Sequence, residues 1–164
     1  MFRFKCPSCD EWHEGMPSFG AIAPLYYDEI PEVDRHARCE LTTDTCVVDQ
    51  KFFFIRGCIE IPVDGADEPF VWGVWASLSR ENFEQFVALQ EEASRAAFGP
   101  YFGWLSASLK TYPSTENLKT MVHLRDNGLR PYIELEPTDH PLALEQRRGI
   151  SRERVGELFA AYMR

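Results

Sequence analysis

Cys6 and Cys9 are separated only by Pro7 and Ser8, and His13 follows shortly after. A tight turn between two thiolates lets both sulfurs point at one ion, which is the spacing a zinc knuckle uses. Tetrahedral zinc takes four ligands, so the pair is half a site. The expected ion is a structural Zn2+ held by Cys6, Cys9, His13 and Cys46, with Cys39 and His36 as alternates and Cys58 a further thiol. None of these later residues builds a second Cys-x-x-Cys, and two reduced thiols closing a turn are the plain alternative. A redox couple at Cys6 and Cys9 needs a helix N-terminus beside the first thiol to favour thiolate. Gly15 and Pro17 follow too soon for that setting.

A second group is Glu134, Glu136, Asp139 and His140. Strand alternation puts both glutamates on one face, the next turn can bring Asp139 and His140 near, and His123 lies on a neighbouring strand. These residues would suit a hard metal or acid–base chemistry, with Glu134, Glu136, His140 and His123 as candidate catalytic groups. The simpler expectation is a solvated pair of glutamates and a helix begun at Pro141 and capped by Asp139 or His140. Trp72, Trp75, Phe102 and Trp104, beside Gly73 and Gly103, could line a pocket, although core packing accounts for large aromatics more simply. Arg56 places a charge inside an apolar strand, either on the wet face or paired with a carboxylate such as Glu60. The phosphate-binding loop, dinucleotide turn, nucleophile elbow and His-Glu-x-x-His helix are all missing, which lowers the expectation of an enzyme.

The elements that must position these residues are mostly strands. Phe2 to Lys5 reads as a short strand entering the Cys turn, and Gly15, Pro17, Gly20 and Pro24 make residues 14 to 24 a loop. Pro31 with Glu32 and Asp34 opens a short helix. Cys46 to Val48 and Phe52 to Val63 form a hairpin across Asp49-Gln50-Lys51. Phe70 to Leu78 is apolar on both faces and belongs inside the sheet. Ser79 caps a helix that runs toward Gly99-Pro100. Strands are expected at residues 101 to 109, 118 to 125 and 130 to 136, with Asn127-Gly128 turning the last pair. A short helix follows Pro141, and Val155, Leu158, Phe159 and Tyr162 form the apolar stripe of a last helix from Ser151.

Strands in succession, with helices collected late, predict an α+β fold: a mainly antiparallel β-sheet with helices packed on one side and an N-terminal Cys-x-x-Cys knuckle. One domain is expected over 1–164, divided into a knuckle and loop (1–24), a sheet core (38–136) and C-terminal helices (141–164). Its size suits one core.

The 26 acidic against 17 basic residues give a net charge of −9, which opposes binding to phosphate backbones. No nucleic acid is expected. No apolar run approaches a membrane span, and Met1 to Lys5 opens no secretory signal, so the expected place is the cytoplasm. Five cysteines, an odd number, argue against a disulfide framework there.

Several separated motifs carry a resemblance. They are Cys6-Pro7-Ser8-Cys9 with His13, Phe53-Phe54-Ile55-Arg56-Gly57-Cys58 running into Glu60-Ile61-Pro62, and Phe70-Val71-Trp72-Gly73-Val74-Trp75. Tyr101-Phe102-Gly103-Trp104-Leu105 and Glu134-Leu135-Glu136-Pro137-Thr138-Asp139-His140-Pro141-Leu142 complete the set. Together they resemble an uncharacterised bacterial family, domain of unknown function 2199 (DUF2199). The resemblance implies a small bacterial protein with no assigned activity, and it carries over no catalytic residue. The function expected from the residues is a small cytosolic binding or regulatory module with a zinc-knuckle-like N-terminus and a protein partner. The alternatives are a metal-assisted hydrolase using the acidic and His cluster, or a thiol-based redox sensor at Cys6 and Cys9.

Overall fold

A computed structural model describes residues 1–163, and its first element is a hairpin. β1 (Arg3–Lys5) pairs antiparallel with β2 (Trp12–Glu14), so that Phe4 stands opposite His13 and Lys5 opposite Trp12. β3 (Ser18–Gly20) follows, then α1 (Leu25–Asp28) and α2 (Glu32–Arg38), the latter opened by Pro31 with acidic residues in its first turn. β4 (Cys39–Leu41), β5 (Thr45–Val48) and β6 (Phe52–Ile61) form an antiparallel set. Asp49 and Gln50 turn the β5–β6 hairpin at φ 53° and 52°, the backbone region that tight hairpins require.

β7 (Phe70–Leu78) runs antiparallel to β6 along its full length and is flanked by further strands, as its two apolar faces require. The Ser79 hydroxyl accepts the Asn82 N–H and starts α3 (Arg80–Ala88). β8 (Tyr101–Leu105), β9 (Lys119–His123) and β10 (Tyr132–Leu135) continue the meander. α4 (Pro141–Arg148) and α5 (Arg152–Tyr162) end the chain, capped by His140 and by Ser151.

The sheet closes on itself. β6 to β10 form a five-strand barrel in which each strand is antiparallel to the next, and β10 returns to β6 with Tyr132 beside Cys58. An up-and-down series with an odd number of strands ends in the direction in which it began, so this closing pair is parallel. β3 is also parallel to β7. The fold is therefore α+β, and a mainly antiparallel sheet describes it only in part.

Three further expectations are corrected. Residues 14 to 24 are not all loop: Gly20 and Gly73 lack side chains, and a Cβ on Gly20 would stand 3.0 Å from the Gly73 Cα. That close approach lets a three-residue strand join β7 despite its flanking Gly and Pro. α3 stops at Ala88, well before Gly99, and the chain beyond it is held by Asp126, which accepts the N–H groups of Arg95 and Ala96. The helices also do not all lie on one side. Phe83, Phe86, Leu142, Val155 and Leu158 from α3, α4 and α5 enter the main core with Ile55, Ile59, Trp72 and Val74. Ile30, Tyr26 and Tyr27 instead cover a second cluster on the opposite face, made of Cys46, Val48, Phe54 and Trp75.

Candidate metal centre

The Cys turn is closed by its own backbone. Cys6 N–H donates to the Glu11 carbonyl at 2.9 Å and Asp10 N–H donates to the Cys6 carbonyl at 2.8 Å. Asp10 takes φ 59°, a conformation short Asx side chains tolerate, and its carboxylate meets Lys5 Nζ at 2.9 Å. β1 and β2 then carry Cys6 and His13 to one place. The ligand atoms of Cys6, Cys9 and His13 all lie within 4.8 Å of one another, and Cys9 Sγ is 3.4 Å from His13 Nε2. Zinc with sulfur at ~2.3 Å and imidazole nitrogen at ~2.0 Å would space tetrahedral ligands roughly 3.5–3.8 Å apart. A small inward movement of the three side chains suffices for an ion.

His13 is oriented by packing. Its ring lies 5.3 Å from Phe4 and 4.6 Å from Phe159 of α5, centroid to centroid. Cys6 is buried and Cys9 exposed, so the cluster opens to solvent on the Cys9 side. The Ser8 hydroxyl at 3.3 Å and the backbone N–H of Cys9 hold the Cys6 thiol down to about 6, against burial. At Cys9 the Glu11 N–H favours thiolate, but the adjoining Cys6 and burial outweigh it and push that thiol up. Of the two sulfurs, Cys6 is thus the one whose surroundings favour thiolate.

The other expected ligands lie elsewhere. Cys46 is fully buried beside Trp75 in the second cluster, and burial pushes its thiol up to about 12, so it is corrected from ligand to core residue. Cys39 packs on that cluster from β4, and burial raises its thiol too. His36 is exposed on α2. Cys58 sits on β6 beside Tyr132. Among the described residues, none of these four joins Cys6, Cys9 and His13.

The acidic and His group is only partly assembled. His123 Nε2 and Glu134 Oε1 are 2.9 Å apart across β9 and β10, half exposed. Glu136 is exposed at the end of β10. His140 is committed elsewhere: its Nδ1 accepts the Leu142 N–H at 3.1 Å, and its Nε2 donates to the Ser114 carbonyl at 3.0 Å. It caps α4, so the four do not form one site. Asp139 is exposed. Arg56 is half-buried, with Nη1 donating to the Thr43 carbonyl rather than pairing with Glu60, which Arg125 holds at 2.6 Å.

The aromatics divide. Trp72 and Trp75 are fully buried, whereas Phe102 and Trp104 are each 43% exposed. Strand alternation carries the signal that separates them: Tyr101, Gly103 and Leu105 face the core and their neighbours face out.

No helix among the described residues is long and apolar enough to cross a membrane. No curated protein and no solved structure matches the chain. The family model described as "Uncharacterized protein conserved in bacteria (DUF2199)" matches residues 5–150, the span from the Cys turn to the end of α4 and beyond, and the chain belongs to that family.

Proposed function

We propose that the chain is a small cytoplasmic binding or regulatory module, not an enzyme, whose N-terminal hairpin is braced by one zinc ion on Cys6, Cys9 and His13. The observation that supports this is the gathering of three soft and borderline donors within 4.8 Å at the surface. Two thiolates and an imidazole select zinc over magnesium or calcium, which prefer oxygen. The fourth position is left to water or to a donor from a partner. The hydrolase reading loses support because His140 is used as a helix cap.

The test is elemental analysis of protein purified without chelator, combined with a count of reactive thiols. One zinc per chain is expected, lost in Cys9→Ser and in His13→Ala and retained in Cys46→Ala. Metal-free protein with all thiols reactive overturns the proposal. A Cys6–Cys9 disulfide that forms and reduces reversibly would replace it with the redox sensor.

A further inference from the structure

The outer face of β8, β9 and β10 carries an aromatic strip that no element among the described residues covers. Phe102 and Trp104 meet edge to face at 5.1 Å. Across the ladder, Met121 stands opposite both Phe102 and Glu134, and Lys119 stands opposite Trp104. A groove of about 280 Å³ runs between Phe102, Met121, Glu134 and Glu136. A second, of about 190 Å³, continues on the other side of Trp104 past Phe52 and Tyr26.

The charge around this strip has one dominant sign. Glu134 and Glu136 border the first groove and Glu29 and Glu116 the second, against Lys119 at the first and Lys51, whose Nζ stands 5.5 Å from the Phe52 ring centre, at the second. Lys119 Nζ lies 5.9 Å from the Trp104 ring centre, so the ring already stands in the field of one cation. Aromatic faces attract cations, and carboxylates beside them add an attraction for guanidinium in particular. A second copy of this chain, at net charge −9, would bring like charges together here.

We propose that this strip is a docking surface for a cationic protein segment. Its apolar side chains and arginine or lysine stems cover Phe102 and Trp104, and its charged heads meet Glu136 and Glu134, the latter sharing its carboxylate with His123 at 2.9 Å. This surface is separate from the Cys6–Cys9–His13 group, so the inference stands whether or not zinc binds.

The experiment titrates the full chain with a short peptide alternating arginine and leucine, and with its glutamate–leucine counterpart, by calorimetry at two salt concentrations. The arginine peptide binds, more weakly at high salt, and the glutamate peptide does not. Trp104→Ser and Phe102→Ser each weaken binding roughly tenfold, as loss of a contact at the centre of an interface does. Glu134→Gln with Glu136→Gln weakens it about threefold or more and flattens the salt dependence. Glu91→Gln with Glu92→Gln, which changes the net charge equally at exposed positions elsewhere, leaves it unchanged. A cooperative denaturation transition well above the titration temperature shows that each variant is folded. The inference is overturned if the arginine peptide does not bind, if the glutamate peptide binds equally, or if the two aromatic substitutions have no effect.

Discussion

The carboxylate of Asp126 accepts the backbone N–H of Arg95 at 2.8 Å, while the Arg95 side chain runs back past it to the same turn. Arg95 is only 5% exposed, and its Nε and Nη2 donate to the carbonyls of Arg125 and Leu129, each at 2.7 Å. Asp126 also accepts the Ala96 N–H at 2.8 Å. A long loop after α3 is thereby fastened to the β9–β10 turn by these hydrogen bonds.

A pH dependence follows from that fastening. The N–H groups of Ala96 and then of Arg95 hold the Asp126 carboxyl below its ordinary value. A folded pKa below the unfolded one means that the unfolded chain binds more protons in the interval between them. The stabilisation is therefore complete above the ordinary aspartate value of about 3.9 and is lost as pH falls through the folded value. Asp126→Asn should lower the urea midpoint at neutral pH, and the two proteins should converge in acid. An equal difference at both pH values would show that the charge is not what holds the loop.

Trp72 and Trp104 predict opposite results from the same substitution. Trp72 has no exposed surface and packs within 4.9 Å of Phe70 and 5.1 Å of Tyr162, centroid to centroid. Trp72→Ala should cost about 3–5 kcal/mol, the range for emptying a buried aromatic site. Trp104→Ala removes a half-exposed ring and should cost about 1 kcal/mol or less. Chemical denaturation of both variants decides, and equal losses would place Trp104 in the core after all.

Local features were legible and long-range ones were not, for a physical reason. Ser79 and His140 cap helices because their side chains suit the residue before a first turn, and that is written in a few adjacent residues. Apolar residues on both faces of Phe70 to Leu78 mark an interior strand without any knowledge of its neighbours. Barrel closure depends on Tyr132 meeting Cys58, a pairing that no local pattern encodes. The metal group divides the same way. Cys6, Cys9 and His13 share one hairpin and could be read together, whereas excluding Cys46 required knowing that β5 turns it into the cluster around Trp75. Residue type alone places Phe102 and Trp104 in the core, whereas their alternation with Tyr101, Gly103 and Leu105 places them outside it.

The last prediction concerns how the hairpin with the Cys turn is held to the rest of the protein. Gly156 lies in α5 and is buried, and a Cβ there would run into the Lys5 carbonyl oxygen and come within 3.5 Å of Pro7 Cδ. Phe159, one turn later, packs 5.1 Å from Phe4 and 4.6 Å from His13. Helix and hairpin thus meet through a backbone contact at Gly156 and an aromatic contact at Phe159. Alanine at position 156 would favour an isolated helix by about 1 kcal/mol. Against this stands an overpacking cost of about 1–3 kcal/mol, because the obstacle is backbone and cannot rotate away. Gly156→Ala should therefore destabilise, and the hairpin should part from α5 before the barrel opens. Limited proteolysis should show faster cleavage between Pro7 and Gly15, with the barrel strands still protected, and the proposed zinc uptake should weaken because His13 loses one of its flanking rings. A rise in stability with unchanged cleavage would mean that β1 shifts to accommodate the methyl group, and that α5 does not position the metal group.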